Sequence, residues 1–297
     1  MLVFVFALQT LLSAAPGYAQ LAAAPSGQRP LLDAAANGTP IVLIAPPSPA
    51  GVSRNVYGQF DVGAQGVILN NSSGRAPSVL GGTVAGNPQL GRTPARLSPN
   101  EGVGGPASQL RGTIEIAGRP ADLVIANPNG ITCSGCGFLN SPRVTLSTGA
   151  PQIGPGGSLT GFDVRQGVIG VQPGGLWAHE VQQLDLLARG LVVDGDLTAR
   201  ELRAVIGANQ IDYASLAATP QSAADAGLRF AIDIKDLGAM RAGQAYLIAT
   251  DRGLGVNSTG RLAAMGGSLQ LSSNGDLRVG ESYAATDLSV SAQGTVT

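Results

Sequence analysis

Short apolar runs recur along the chain and are separated by Gly, Asn, Pro and Ser. Each run has the length of a strand, favours β-branched residues and lacks the i, i+3, i+4 spacing of an amphipathic helix. Two segments, 173–189 and 222–229, are compatible with helix, but Leu184 and Leu186 flank Asp185 in strand-like alternation. The pattern predicts an all-β protein. The clearest runs occupy residues 41–44, 60–62, 67–69, 114–116, 123–125 and 144–146.

From residue 190 onward the apolar positions follow a rhythm. A Gly-x-Leu pattern ends in Leu262, Leu269 and Leu277, with its glycines seven and then eight residues apart. A turn followed by a short strand, repeated three times per coil, is typical of a parallel β-helix with coils of about 20 to 25 residues. A β-sandwich would show longer alternating strands joined as hairpins. We therefore predict a parallel β-helix.

Three places along the chain depart from a uniform stack of coils. Residues 219–227 interrupt the rhythm, which indicates an excursion from the coils. The first coil of a β-helix exposes strand edges, so we expect the apolar segment 41–44 to cover that end. The last Gly-x-Leu group runs to the C-terminus without the polar cap that stacked repeats normally need. We therefore expect the sequence to be part of a longer protein.

Composition narrows the function. The chain has 43 Gly, 12% charged and 4% aromatic residues, without the Gly-x-y period of collagen, so frequent turns between short strands are expected. The net charge is -1, and the 18 basic residues, of which only Lys235 is a lysine, do not cluster. Nucleic-acid binding, which requires a basic surface, is therefore not expected.

The first 19 residues read as a secretory signal peptide. They form an apolar run, a break at Pro16 and small residues before a cleavage point. A membrane-spanning helix would need about 20 continuous apolar residues, which Gln9, Thr10 and Pro16 interrupt; a short buried segment is the alternative. No basic residue precedes Arg29, so the true start is expected further upstream. We expect an exported chain.

One long segment carries a family resemblance. Residues 121–149, ADLVIANPNGITCSGCGFLNSPRVTLSTG, resemble the secretion domain of filamentous haemagglutinins, haemolysins and contact-dependent growth inhibition exoproteins. Residues 51–71, 86–91, 161–167 and 233–255 resemble further blocks of that family in the same order. The resemblance implies a right-handed parallel β-helix with extra-helical β elements and an N-terminal cap. The expected division is a signal peptide (1–19), a spacer (20–36), the two-partner-secretion (TPS) domain (37–250) and haemagglutinin-type repeats (251–297).

The resemblance also implies a function. Such domains are recognised in the periplasm by the POTRA repeats of a partner outer-membrane transporter of the TpsB type, and they are exported to the surface or medium of a Gram-negative cell. Two Asn-Pro motifs are associated with export, and Gln89 stands where the first commonly has Asn. We expect the asparagines to cap turns and stack along the coils. The matching residues are Asn87, Pro88, Asn127, Pro128, Asn129 and Gly130.

The only two cysteines, Cys133 and Cys136, are separated by two residues. Zinc would need two more ligands, and the chain has one histidine, His179. A redox site of the thioredoxin type would need a βαβ context that the pattern does not offer. A local disulfide and a pair of adjacent thiols remain. The contact-dependent inhibition subset of the family carries the same Cys-x-x-Cys after its Asn-Pro motif.

Other functions have weaker support. Parallel β-helices also include polysaccharide-degrading enzymes, but these need converging carboxylates. His179 beside Trp177 is better explained as an outward-facing pair than as a catalytic or sugar-stacking one. We expect no catalysis, metal or cofactor, and a monomer. An adhesin that binds host or neighbouring cells directly, and a toxin-delivery stalk whose activity lies elsewhere, are the alternatives. The candidate acidic residues are Glu180, Asp185, Asp194 and Asp196.

Overall fold

The computed structural model describes residues 21–25, 28–224 and 227–297. Within these ranges the regular structure is β-strand, apart from two short 3-10 helices at Pro88–Leu90 and Pro155–Gly157. No helix among the described residues is long and apolar enough to cross a membrane. The predicted all-β class is confirmed. In the segment 173–189 a turn precedes the strand Leu176–Ala188, as the alternation of Leu184 and Leu186 indicates. The predicted signal peptide, residues 1–19, lies outside the described residues.

Most strands of the described chain stack in three parallel ladders, which form the three faces of a β-helix. Ladder 1 contains β3 (Pro40–Leu43), β5 (Val67–Asn71), β10 (Thr113–Gly118), β13 (Cys136–Leu139), the first parts of β18 (Leu176–Ala188), β20 (Asp196–Ile206) and β24 (Ala239–Ala249), β26 (Arg261–Ala264) and β29 (Ser282–Ala284). Ladder 2 contains β4 (Asn55–Phe60), β8 (Leu97–Gly102), β11 (Asp122–Ala126), β14 (Arg143–Ser147), the second parts of β18, β20 and β24, β27 (Leu269–Ser273) and β30 (Leu288–Ala292).

Ladder 3 completes each coil and returns the chain to ladder 1. Its strands are β9 (Ser108–Leu110), β12 (Ile131–Cys133), β17 (Val168–Val171), β19 (Gly190–Val193), β23 (Phe230–Ile234), β25 (Gly255–Ser258) and β28 (Leu277–Val279). We call the bends between ladders 1 and 2, 2 and 3, and 3 and 1 the first, second and third corners. Leu123 pairs with Val144, and Ala245 with Leu269. Uninterrupted coils thus have the predicted length of about 20 to 25 residues.

The Gly-x-Leu rhythm corresponds to the three faces of one coil. Leu262 lies in ladder 1, Leu269 in ladder 2 and Leu277 in ladder 3, and all three side chains are buried in the interior. The glycine of each group lies at or beside a corner, where the chain turns. The interior is a column of Leu, Val, Ile and Ala side chains that runs the length of the helix, so burial of apolar surface stabilises each added coil.

Antiparallel strands close the N-terminal end. β3 is the first strand of ladder 1 and pairs with β5, while β2 (Leu31–Ala34) pairs antiparallel with β3. β1 (Leu21–Ala23) covers ladder 2 in the same way by pairing with β4. The predicted cap is confirmed, but its outermost strands lie N-terminal to residues 41–44, within the segment 20–36 that the sequence suggested as a spacer. The reason is that segment 41–44 itself forms a first rung, whose edge also needs a partner.

Two excursions leave the second corner and form an antiparallel sheet outside the helix. Its strands are β15 (Ala150–Ile153), β16 (Leu159–Val164), β21 (Asn209–Asp212) and β22 (Ala218–Pro220). The predicted excursion at residues 219–227 is therefore the end of a larger element. Phe162, Ile211 and Leu216 pack this sheet onto the outer side of ladder 2, against Val124 and Leu187.

A smaller excursion leaves the first corner and covers the outer side of ladder 1. It begins with a hairpin of β6 (Ala76–Ser78) and β7 (Gly82–Val84). The buried Glu115 carboxylate accepts hydrogen bonds from the Ser78 hydroxyl (2.7 Å) and from the Val79 (2.7 Å) and Leu80 (2.9 Å) amides. One carboxylate on a coil therefore fixes the loop of the hairpin.

The extra-helical sheet should depend on its aromatic anchor. Replacing Phe162, which is fully buried, by Ala removes most of the contact between β16 and ladder 2. We expect Phe162→Ala to lower the free energy of unfolding by about 4 kcal/mol, and to increase amide exchange first in residues 150–164 and 209–220. Ile153→Ala, at an exposed position of the same sheet, is the matched control. Equal effects of the two substitutions would contradict the packing described.

Candidate functional site

The first Asn-Pro motif lies where the excursion from the first corner returns to the coil. The Asn87 amide N–H donates to the Ser72 carbonyl (2.7 Å), which closes the neck of the excursion. Its side-chain Nδ2 donates to the carbonyls of Asn70 (3.0 Å) and Ile44 (2.9 Å). Its Oδ1 accepts from the Gln89 amide (2.9 Å) and caps the 3-10 turn that Pro88 begins. One side chain thus joins three backbone segments.

The second motif forms the second corner directly after β11. The Asn127 Oδ1 accepts from the Asn129 amide (2.9 Å), and the Gly130 amide donates to the Asn127 carbonyl (3.0 Å). The Asn127 Nδ2 donates to the Pro106 carbonyl (3.0 Å) and the Ser108 hydroxyl (3.1 Å) of the preceding coil. The motif is therefore a capped turn that is also bonded to its neighbour.

Glycine is required at two positions where adjacent second corners touch. Gly130 has a φ of +115°, and a Cβ there would lie 3.0 Å from the Val168 carbonyl oxygen. Gly167, in the next coil, has a φ of +84°, and its Cβ would lie 2.5 Å from the Pro128 carbonyl oxygen. Both conformations are unfavourable for residues with a side chain. The close stacking of corners therefore explains the glycine that ends the second motif.

The side chain of the first asparagine in each motif is buried. Asn87 and Asn127 are only 1% and 2% exposed, whereas Pro88 and Asn129 are exposed. Gln89, where the family motif commonly has Asn, donates from Nε2 to the Leu43 carbonyl (2.7 Å), so the longer amide is accommodated in a backbone contact. In the folded domain a partner could therefore contact the second and third positions of a motif, but not its first asparagine.

Hydrogen bonds between adjacent coils continue along the second corner beyond Asn127. The Asn127 amide donates to the Ser147 carbonyl (2.9 Å) of the next coil. Further along the axis the amides of Thr250 (2.8 Å) and Asn274 (3.0 Å) donate to the carbonyls of Ile206 and Ala249 at the same corner. The expected stacking of the motif asparagines is not observed, because the Asn87 and Asn127 side chains bond to backbone groups and to Ser108. Asn55 of β4 does lie beside Asn100 of β8 inside the helix, outside the motifs. The second motif thus begins a column of corner hydrogen bonds.

The structure joins Cys133 and Cys136 in a disulfide, one of the two states left open by the sequence. Both residues are fully buried, and their Cα atoms are 5.4 Å apart across the third corner. The intervening Ser134 and Gly135 amides donate to the carbonyls of Leu110 (2.9 Å) and Gly175 (2.8 Å) in the two adjacent coils. The short strand β12 therefore lies between two restricted corners. The second corner is restricted sterically by its close stacking, and the third corner is restricted covalently by the disulfide.

The acidic residues considered as catalytic candidates lie in separate places. Asp185 is buried under the extra-helical sheet and accepts from Arg143 Nε (2.6 Å), Thr145 Oγ1 (2.9 Å) and Gln183 Nε2 (2.8 Å). Asp196 pairs with Arg241 (3.0 Å) on the outer face of ladder 1. Glu180 is exposed and lies 3.6 Å from His179. In the described ranges no three His, Cys, Asp or Glu side chains are grouped as metal ligands.

Arg143 is a structural centre that the sequence did not reveal. Besides Asp185, it donates to the Tyr213 carbonyl (2.9 Å), and its guanidinium stacks on the Tyr213 ring, 4.3 Å from the centroid. Burial raises the pKa of the neighbouring Asp122 carboxyl, and the Arg143 charge partly opposes this shift. Arg143 therefore ties two coils to the extra-helical sheet. No local pattern could have predicted a contact that spans 70 positions.

Comparisons with known proteins identify this architecture. The family model described as "TPS secretion domain" matches residues 19–279. The "Toxin CdiA" of Yersinia pestis is 45% identical over 256 residues, which cover 86% of this chain and 8% of that protein. The "tRNA nuclease CdiA-2" of Burkholderia pseudomallei is 46% identical over 243 residues, or 81% of this chain and 8% of that protein. The chain thus spans less than a tenth of the length of these relatives.

A solved structure supports the same identification. The crystal structure of the filamentous hemagglutinin secretion domain superposes with a TM-score of 0.86 and 34% sequence identity, covering 93% of this chain and 94% of that one. The fold and these matches therefore define a β-helical secretion domain of exoproteins of the filamentous haemagglutinin and CdiA type. The chain belongs to the TPS secretion domain family. The predicted family and the parallel β-helix are confirmed.

The buried and exposed asparagines of the second motif should differ in stability. Asn127→Ala leaves the Pro106 carbonyl and the Asn129 amide without their partner, so we expect the free energy of unfolding to fall by about 2 kcal/mol. Asn129→Ala removes one exposed hydrogen bond and should cost no more than about 0.5 kcal/mol. Urea unfolding measures both values. Equal losses would contradict the assignment of Asn127 as the corner-forming residue.

The disulfide should contribute modestly because it closes a short loop. We expect the Cys133→Ala/Cys136→Ala double variant to lose about 2 kcal/mol of unfolding free energy while remaining folded at room temperature. The wild type measured with and without reductant gives the same comparison without substitution. If only the reduced wild type loses unfolding free energy and the double variant is as stable as the oxidised wild type, the expectation is contradicted. The buried thiols, and not the missing bond, would then destabilise the corner.

Asp122 provides a test of pH dependence. A carboxyl whose pKa is raised by folding binds its proton more tightly in the folded state, so its contribution to stability increases as the pH falls through that pKa and is lost as the pH rises. At neutral pH the partly buried charge of Asp122 therefore lowers the stability of the fold. We expect Asp122→Asn to raise the free energy of unfolding at about pH 7 and to flatten its pH dependence above about pH 4. Lower stability with unchanged pH dependence would contradict this.

Proposed function

We propose that this chain is the export address of a large exoprotein. In this proposal the unfolded chain enters the periplasm, the POTRA domains of a TpsB-type outer-membrane transporter recognise it, and the β-helix forms outside the cell. The observation that carries the proposal is the superposition on a solved secretion domain over 94% of that domain, at 34% identity. The match of the TPS family model to residues 19–279 supports it independently.

The two Asn-Pro motifs fit a role in folding after export. In the folded domain the side chains of Asn87 and Asn127 are used in hydrogen bonds to neighbouring coils and their own turns. A transporter that read these side chains directly would have to do so before folding. We propose that their main contribution is to set corners, so that each emerging coil adds to the previous one and opposes return of the chain.

The nuclease activities in the names of some relatives are proposed to belong to other parts of those proteins. The aligned region is 8% to 9% of their length, and the acidic side chains of the present chain are engaged in ion pairs or dispersed. We propose that this region performs no catalysis, and that a passenger carried behind it determines whether the protein acts as an adhesin, a haemolysin or a delivered toxin. Its place of action is the cell surface or the medium.

An export assay tests whether secretion depends on the transporter and on the buried asparagine of the second motif. The experiment co-expresses the full chain, behind an intact signal peptide, with its partner transporter and quantifies folded protein in the medium. We expect accumulation to require the transporter, and to fall by about tenfold for Asn127→Ala. Protein in the medium at equal levels without the transporter would contradict the proposed function.

A matched control comes from Asn71. It is as buried as Asn127, and its side chain makes the same kinds of bonds, donating to the Ala95 and Arg119 carbonyls and accepting from the Ala95 amide, outside any Asn-Pro motif. If corners matter through folding, Asn71→Ala and Asn127→Ala should reduce export in proportion to their loss of stability. A defect seen only for Asn127→Ala at equal stability would show direct reading by the transporter.

A further inference from the structure

The outer face of ladder 1 carries exposed aromatic rings in one column. Trp177 of β18 and Tyr283 of β29 are 40% and 54% exposed. The strand register places Thr198, Arg241 and Ala263 between them, one on each intervening strand. Because neighbouring strands lie about 4.8 Å apart, the backbone positions of the two aromatic residues are separated by about 19 Å along the helix axis and carry their side chains on the same face.

The outer face of ladder 1 is recessed beside Tyr283. Ala263 pairs with Tyr283 on the adjacent strand, and its small side chain leaves space beside the ring. A cleft of about 360 Å³ opens beside Tyr283, with Met265 at its edge. The Trp177 Nε1 donates to the Gly174 carbonyl (3.2 Å), which fixes the orientation of the indole. The indole is therefore held at one end of the column, and the cleft lies at the other end.

The charged groups along this column neutralise one another. Arg241 pairs with Asp196 (3.0 Å), and Arg261 pairs with Glu281 (2.9 Å). Exposed ion pairs of this kind are weak, so their donors and acceptors can turn to a ligand at little cost. The face therefore offers hydrogen-bonding groups without net charge, which disfavours polyanions such as nucleic acids or sulfated polysaccharides.

We propose that this face binds a neutral oligosaccharide that lies along the helix axis. The apolar faces of two sugar rings stack on Trp177 and Tyr283, and sugar hydroxyls bond to the guanidinium and carboxylate groups of the two ion pairs. A pyranose suits these features because it combines a flat C–H face with a rim of hydroxyl groups. This property goes beyond the proposed export function, which uses corners and coil stacking and does not require this face.

Titration with linear neutral oligosaccharides tests the proposal. The probes are glucose and N-acetylglucosamine oligomers of increasing length, added to the purified chain and followed by tryptophan fluorescence and calorimetry. We expect affinity to rise with length until both rings are spanned, and to be insensitive to salt. Trp177→Ala and Tyr283→Ala should each weaken binding by about tenfold, whereas Tyr283→Phe retains the ring and the affinity.

Tyr246→Ala is the matched control, because this tyrosine lies on the outer side of ladder 2 in the same helix. It should bind as the wild type does, and circular dichroism confirms that every variant keeps its β structure. The proposal is overturned if neither oligomer series binds, if Trp177→Ala and Tyr283→Ala bind as the wild type does, or if binding requires a polyanion and falls steeply with salt. None of these outcomes affects the export function, which the transporter experiment tests separately.

Discussion

Each coil of a parallel β-helix has to satisfy its backbone hydrogen bonds with the coils above and below it. On the three faces the ladders do this regularly, but at a corner the strand geometry is lost and the peptide groups still need partners. In this protein asparagine amides repeatedly supply them. The Asn140 side chain donates to the Ile116 and Gly118 carbonyls, and the Asn274 side chain donates to the Thr250 carbonyl. Asn87 and Asn127 are the members of this group that also precede proline.

This constraint links the two Asn-Pro motifs to the architecture. Asn87 closes the excursion of the first corner, and Asn127 sets the second corner, from which the two excursions of the extra-helical sheet leave in later coils. The Asn127-Pro128 turn is therefore used where the chain returns at once, whereas the longer connections, including the one that Asn87 closes, build an outer layer. Pro128 fixes one φ angle and Gly130 provides a positive one, so the turn is prepared before its neighbours arrive.

The interior of the helix could be predicted from the sequence, and its outer layer could not. The sequence predicts three faces because an inward-facing leucine follows a turn at nearly constant spacing, at Leu262, Leu269 and Leu277. The corner turns could also be predicted from the sequence, because Asn, Pro and Gly act through local backbone preferences. By contrast, Arg143 meets Tyr213 only because two excursions fold back over ladder 2.

The same distinction applies to the covering strands and to burial. β1 and β2 carry weak apolar patterns, and they become strands because exposed edges of β3 and β4 need partners. By resemblance the sequence could single out Asn87 and Asn127 as motif residues. It could not show that their side chains are enclosed while Pro88 and Asn129 face solvent. Long-range pairing and burial depend on the assembled coils, which no single segment encodes.

Residue-resolved amide exchange of the folded domain tests most directly whether hydrogen bonds at the corners hold adjacent coils together. The corner amides of Asn127, Thr148, Gly207, Thr250, Asn274 and Gln293 each donate to a carbonyl of an adjacent coil at 2.8 to 3.0 Å. We expect these amides to be protected to the same degree as amides in the middle of the ladders, because they open only when a coil separates. Exchange at these corners as rapid as that of the exposed loop around Gly105 would contradict the view that hydrogen-bonded corners hold the coils together.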